Sequence, residues 1–124
     1  MGQEPWPTEL RLSEGGRMLS VAFDDGAQFA LSAELLRTQS PSAEVQGHSP
    51  QERKTVGGKR NVAIIAVAPV GNYAVRLDFD DMHRTGIYTW RYLRELGETA
   101  ADRFNAYLEE LAEKGLDRDR PGEK

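Results

Sequence analysis

The run "DFDDMHRTG" places Asp78, Asp80, Asp81, His83, Arg84 and Thr85 within eight residues, the densest gathering of acid, base and hydroxyl groups in the chain. Carboxylate and imidazole together suit iron, zinc or manganese, so Asp80 or Asp81 with His83 is a candidate divalent-metal site. The same residues also have a structural reading, in which the aspartates cap a strand end and His83 makes one local hydrogen bond. Acidic residues that alternate faces of a strand do not all converge, which favours the structural reading.

A second polar segment, "RTQSPSAEVQGH" at residues 37–48, groups Arg37, Ser40, Ser42, Glu44 and His48 around Pro41. It has the character of a metal-binding loop without its ligands. Arg37, Glu44, His48 and Arg84 are its candidate interaction residues. His48 and His83 are the only histidines, and nothing near His48 completes the two-histidine, one-carboxylate set of an iron(II) oxygenase. Ser40 or Ser42 can be drawn with His48 or His83 as a hydrolase pair, but neither serine sits in a Gly-x-Ser-x-Gly elbow. "RKTVGGKR" sets Gly57 and Gly58 ahead of Lys59; it lacks P-loop spacing and precedes a strand, so it reads as a solvated basic loop.

The elements that must hold these groups follow from hydrophobic period. "TELRLS", "LSVAFD" and "AQFAL" alternate at period two between the turn signals "EGG" and "DDG", which predicts three antiparallel strands. "SAELLRTQ" reads as a short helix capped by Ser32, and Ser40 to Lys59 as a loop punctuated by proline and glycine. "NVAIIAVAPV" and "YAVRLDFD", joined at Gly71-Asn72, give the strongest hairpin signal and are expected at the sheet centre. Tyr88, Tyr92, Leu93 and Leu96 fit one helix face closed by Gly97. A last helix is expected from Thr99 to Gly115, burying Phe104, Leu108 and Leu111. Trp90, Tyr88 and Tyr92 read as core aromatics. The expectation is an α+β fold: an antiparallel sheet of about five strands flanked by two or three helices. One domain would cover residues 1–115, with a charged, disordered tail at 116–124.

At 124 residues, with 39% hydrophobic and 29% charged residues, the chain has the makings of one globular core. A net charge of −4 argues against a nucleic-acid partner, since that affinity rests on phosphate neutralisation by Lys and Arg. With no cysteine, disulfides, thiol catalysis and thiolate-bound zinc or iron–sulfur clusters are excluded within this chain. Neither a signal-peptide pattern nor a bilayer-length apolar run is present, so a cytoplasmic location without a membrane partner is expected.

"LLRTQSPSAEVQGH" followed by "VAPVGNYAVRLDFDDMHRTGIYTWRYL" resembles the small bacterial domains related to the N-terminal domain of gamma-butyrobetaine hydroxylase, over Pro7 to Leu96. In the hydroxylase relatives a Cys-Pro-Cys-x-x-Cys cluster and a histidine form a zinc site. The resemblance places those cysteines on Ser40, Ser42 and Val45 and the histidine on His83, a degenerate zinc site. Two serines and a valine cannot replace three thiolates, so no cofactor is expected; the alternative is a weakly bound divalent metal. The hydroxylase's catalytic domain has no counterpart here, so its reaction is not carried over. Similar domains fused to cluster-carrier ATPases imply a link to iron–sulfur or iron metabolism. The expected function is therefore a non-catalytic interaction or accessory module, with iron–sulfur assembly machinery as the implied protein partner. The alternative is a metal-binding protein or metal-dependent enzyme centred on Asp80, Asp81 and His83.

Overall fold

Alternating apolar residues build the first three strands of the computed structural model, which describes residues 6–47 and 54–119. β1 (Pro7–Ser13), β2 (Met18–Phe23) and β3 (Gln28–Ser32) form an antiparallel meander in the order β1-β2-β3. Its register sets Leu10 opposite Val21 and Leu12 opposite Leu19, then Val21 opposite Phe29 and Leu19 opposite Leu31. Leu19, Val21, Phe23 and Leu31 are buried.

The chain then leaves the sheet through α1 (Ala33–Thr38) and α2 (Ala43–Gln46). Ser32 caps α1 as its residue type predicts, its hydroxyl accepting from the Leu35 N–H at 3.0 Å. The segment expected to be wholly loop therefore contains a helical turn, capped by Ser42.

β4 (Ile64–Val70), β5 (Ala74–Phe79) and β6 (Gly86–Thr89) form a second antiparallel sheet in the order β4-β5-β6. The architecture is thus α+β with two three-stranded sheets in place of one sheet of about five strands. Two causes are visible. The passage through α1, α2 and the residues beyond them separates β3 from β4, and the four-residue β6, which opens on a glycine, carries too little alternation to announce itself. Tyr88 therefore lies in β6 opposite Val75, not on the helix that follows. Of the hairpin expected at the centre, β5 is central but β4 is an edge strand, and its Ile65 is exposed.

α3 (Trp90–Glu113) is one 24-residue helix capped by Thr89, whose hydroxyl accepts from the Tyr92 N–H. Gly97 does not close it. A Cβ at Gly97 would lie 2.5 Å from the Phe29 ring, so its role is to let α3 pack closely on β3. The break falls at Thr99 (φ −120°, ψ 18°), where the side-chain hydroxyl donates to the Glu95 carbonyl at 2.7 Å. Tyr107 and Leu111 are buried beyond the kink, whereas Leu108 is exposed, contrary to the expected face. One core cluster joins both sheets and α3 through Leu19, Leu31, Leu77, Phe79, Tyr88, Leu93 and Leu96. No described helix is long and apolar enough to cross a membrane.

Candidate functional site: a buried polar junction at His83

His83 lies in the turn between β5 and β6. The turn is closed by the Phe79 N–H donating to the His83 carbonyl at 2.9 Å and the Met82 N–H donating to the Phe79 carbonyl at 3.2 Å. Met82 takes the left-handed conformation (φ 76°) and is exposed. That geometry turns the next side chain inward, and His83 is only 4% exposed.

Both ring nitrogens of His83 are engaged. Nε2 lies 2.9 Å from Ser40 Oγ, and Nδ1 lies 3.0 Å from Glu44 Oε1. Burial, then the Arg37 charge, pushes the His83 pKa down, against the opposing pull of Glu44 and Asp81. The neutral ring follows near pH 7. Because the Glu44 carboxylate can only accept, Nδ1 carries the proton and Ser40 donates to Nε2. Ser40 Oγ accepts in turn from the Ser42 N–H at 3.2 Å, and the Ser40 carbonyl accepts from Gln46 Nε2 at 2.7 Å. Ser42 Oγ meets Thr85 Oγ1 at 2.7 Å and accepts from the Glu44 N–H at 3.1 Å. The junction ties the α1–α2 segment to the β5–β6 turn through groups whose donors and acceptors are matched.

Asp81 stands at the edge of this junction with different partners. Its carboxylate accepts from Arg37 Nε at 2.7 Å, from Lys59 Nζ at 2.5 Å and from the His83 N–H at 3.1 Å. Burial raises its pKa, but the Lys59 ammonium, the His83 N–H and Arg37 outweigh it and hold the carboxyl at about 2. Lys59 is therefore not the solvated residue expected from its loop, and Arg37 is a structural partner rather than a free recognition group. Asp80 is occupied elsewhere, accepting from the Ala63 N–H at 3.1 Å.

The expected metal trio of Asp80, Asp81 and His83 is thus close in sequence but does not converge. Among the described residues no group of three or more histidine, aspartate or glutamate side chains is placed to hold a metal ion. The positions implied for zinc ligands do converge in part: Ser40 touches His83, Ser42 touches Ser40, and Val45 is buried. Two hydroxyls and an isopropyl group do not fit zinc in place of three thiolates. Arg84 and Glu44 are at the surface, and His48 lies outside the described residues.

The order Ser40, His83, Glu44 copies the hydrogen-bond logic of nucleophile, base and orienting carboxylate. Access rules out that use. Ser40 is 0% exposed, and a Cβ added at Gly86 would already come within 2.7 Å of its Oγ, so no acyl group can approach. Sequence reasoning placed Thr85 in the polar run but gave Gly86 no role and set Tyr88 on a helix face; the Tyr88 hydroxyl donates to the Leu36 carbonyl at 2.5 Å behind the junction. The available signal was Gly86 directly after Thr85 at the close of the polar run.

The sequence model of the gamma-butyrobetaine hydroxylase-like, N-terminal family matches residues 10–94. A protein solved by NMR in solution is 44% identical, with 99% of this chain and 92% of that one covered and a TM-score of 0.82. A second NMR structure is 40% identical over 98% and 95% of the two chains, with a TM-score of 0.81. A crystal structure from Acidithiobacillus ferrooxidans ATCC 23270, of a protein with unknown function in the DUF971 family, is 39% identical. It covers 77% of this chain and 98% of its own, with a TM-score of 0.64. No curated protein matches. With its model spanning more than half of the residues, the chain belongs to the gamma-butyrobetaine hydroxylase-like N-terminal domain family.

Proposed function

We propose that this chain is a non-catalytic interaction or accessory module. The observation that carries the reading is the engagement of both His83 ring nitrogens by Ser40 and Glu44. A metal ligand needs a free nitrogen lone pair, and a general base needs an accessible one; His83 has neither. Metal binding centred on Asp80, Asp81 and His83 would require Ser40 to release the ring and Arg37 and Lys59 to release Asp81. The family resemblance supports a protein partner from iron or iron–sulfur metabolism, such as the assembly machinery.

The test is to follow the His83 ring resonances by NMR while iron(II) or zinc(II) is added. The module reading expects no change at micromolar metal. Saturable broadening or shift of that ring, lost in His83→Ala, would replace it with metal binding.

A further inference from the structure

Antiparallel strands bond mutually at every second residue, so one bond fixes which backbone groups of a strand point away from its sheet. In the first sheet the Phe23 N–H donates to the Ala27 carbonyl at 2.9 Å, and at the other end the Ala33 N–H donates to the Arg17 carbonyl at 2.8 Å. β2 therefore bonds β3 through Leu19 and Val21 and bonds β1 through Ser20 and Ala22, which stand opposite Arg11 and Glu9. The N–H and C=O groups of Leu10 and Leu12 are left facing outward along the edge of β1. Among the described residues no strand pairs with that edge.

Free edges are normally blunted. β4 has Pro69 and a register shift between Ile64 and Ala66, β6 is four residues long, and β3 has five residues and runs directly into α1. β1 is seven residues long, its one proline is its first residue, and its register is regular from Glu9 to Ser13. The remaining protection against a second strand is charge, carried by Glu9 and Arg11. Both are more than half exposed on the outer face of the sheet, and at 3.9 Å they hold each other only loosely.

Their signs are opposite, which turns that protection into a code. In an antiparallel pairing about a two-fold axis at Leu10, Glu9 of each copy falls opposite Arg11 of the other, and the outward groups of Leu10 bond their own counterparts. An axis at Arg11 would set two arginines together, and an axis at Glu9 two glutamates. The charges therefore select Leu10. Beside them the outer face is small, with a concavity of about 410 Å³ over Ser20, Ala22 and Ala30, so no bulky neighbour holds either charged side chain to its own sheet.

We propose that β1 is a docking edge for a second copy of this chain, the two β1 strands pairing antiparallel about Leu10 into one six-stranded sheet. Glu9 of each copy is then set against Arg11 of the other. This self-association goes beyond the module reading and does not depend on it. One strand pair buries less than the roughly 1,200 Å² of a stable complex, so the dimer is weak, with a dissociation constant on the order of 100 μM.

The test is sedimentation equilibrium of the full chain up to about 1 mM, beside Glu9→Arg, Arg11→Glu and the double exchange. Each single variant faces like charges at both pairs and should dimerise about tenfold more weakly or worse, and the double exchange should restore the wild-type constant. An equimolar mixture of the two single variants should associate where neither does alone. Both side chains are exposed, so thermal midpoints of the dilute variants should match the wild type. The Leu10 and Leu12 amides should gain protection from hydrogen exchange as concentration rises, while those of Glu9 and Arg11, already bonded to β2, should not. A chain that stays monomeric at millimolar concentration overturns the proposal and leaves the edge to a foreign strand or to none. A dimer indifferent to the charge exchanges, or one that protects the amides of another strand, overturns it as well.

Discussion

Glu34, in the first turn of α1, is held by the guanidinium of Arg118, whereas Ser40, just past the last turn, is held by the neutral ring of His83. Both anchors are buried and both join residues distant in sequence. They differ in what happens when one member is removed. A buried carboxylate that loses its cation is left without compensation, while a neutral hydroxyl that loses a ring loses one hydrogen bond. The helix is thus fixed sensitively at its start and tolerantly at its end.

The largest effect expected from breaking this contrast is therefore at the start. Arg118→Ala should cost about 3 kcal/mol in unfolding free energy, measured by urea denaturation, and a paired apolar replacement of Glu34 and Arg118 should recover most of it. A loss no greater than that of His83→Ala would show that the two ends are not fastened differently.

Acid separates the groups next. Asp81 titrates at about 2 in the folded protein against 3.8 in the unfolded chain, so between these values the unfolded state binds more protons. Its contribution is complete above pH 3.8 and is lost as pH falls towards 2, worth about 1–2 kcal/mol for a carboxyl only partly withdrawn from water. His83 acts in the same direction in a higher window: its lowered pKa gives stability that is present above 6.5 and declines below it. Asp81→Asn should remove the lower acid transition and leave the upper one, as followed by stability against pH. His83→Ala should do the reverse.

The two ends of α1 also differ in how far the sequence revealed them. Ser40, Ser42, Val45 and His83 could be named because a family pattern aligns them, and His83 was additionally visible as a lone histidine beside a strand end. Ser32 announced its cap by residue type, and β1, β2, β3 and β5 announced themselves by alternation. Glu34 with Arg118 was invisible, since a charged residue in a first turn and another in a charged C-terminal run both look solvated until the fold brings them together. The same holds for Lys59 and Asp81. The sequence ended one helix at Gly97 and began the next at Thr99; the non-helical residue is Thr99, while Gly97's value is the missing Cβ against Phe29. β6 was lost because four residues give no period to read.

At the tolerant end, His83→Ala should cost on the order of 1 kcal/mol, since of its two partners only Ser40 is buried and left unpaired, while the exposed Glu44 turns to water. His83→Asn or His83→Gln should recover part of that, since an amide can supply a donor or an acceptor to Ser40. Urea denaturation of the three variants checks the order. A cost several times larger, unrelieved by either amide, would mean that the ring's packing against Phe79, 6.1 Å away, outweighs its hydrogen bonds.

The smallest expected effect is none. A metal held by the native state alone would raise stability through mass action, by about 2.7 kcal/mol at a hundredfold excess over its dissociation constant. For a domain of this size that corresponds to a midpoint shift of roughly 10 °C, easily seen by calorimetry. Both His83 ring nitrogens already have partners, Ser40 Oγ and Glu44 Oε1, and Ser42 and Val45 offer only a hydroxyl and an isopropyl group in place of thiolates. EDTA should therefore leave the thermal midpoint unchanged, and zinc(II) added afterwards should not raise it. A midpoint that falls on chelation and returns with zinc would mean that the tolerant end of α1 is metal-held after all, and its tolerance of His83→Ala would have to fail in the same protein.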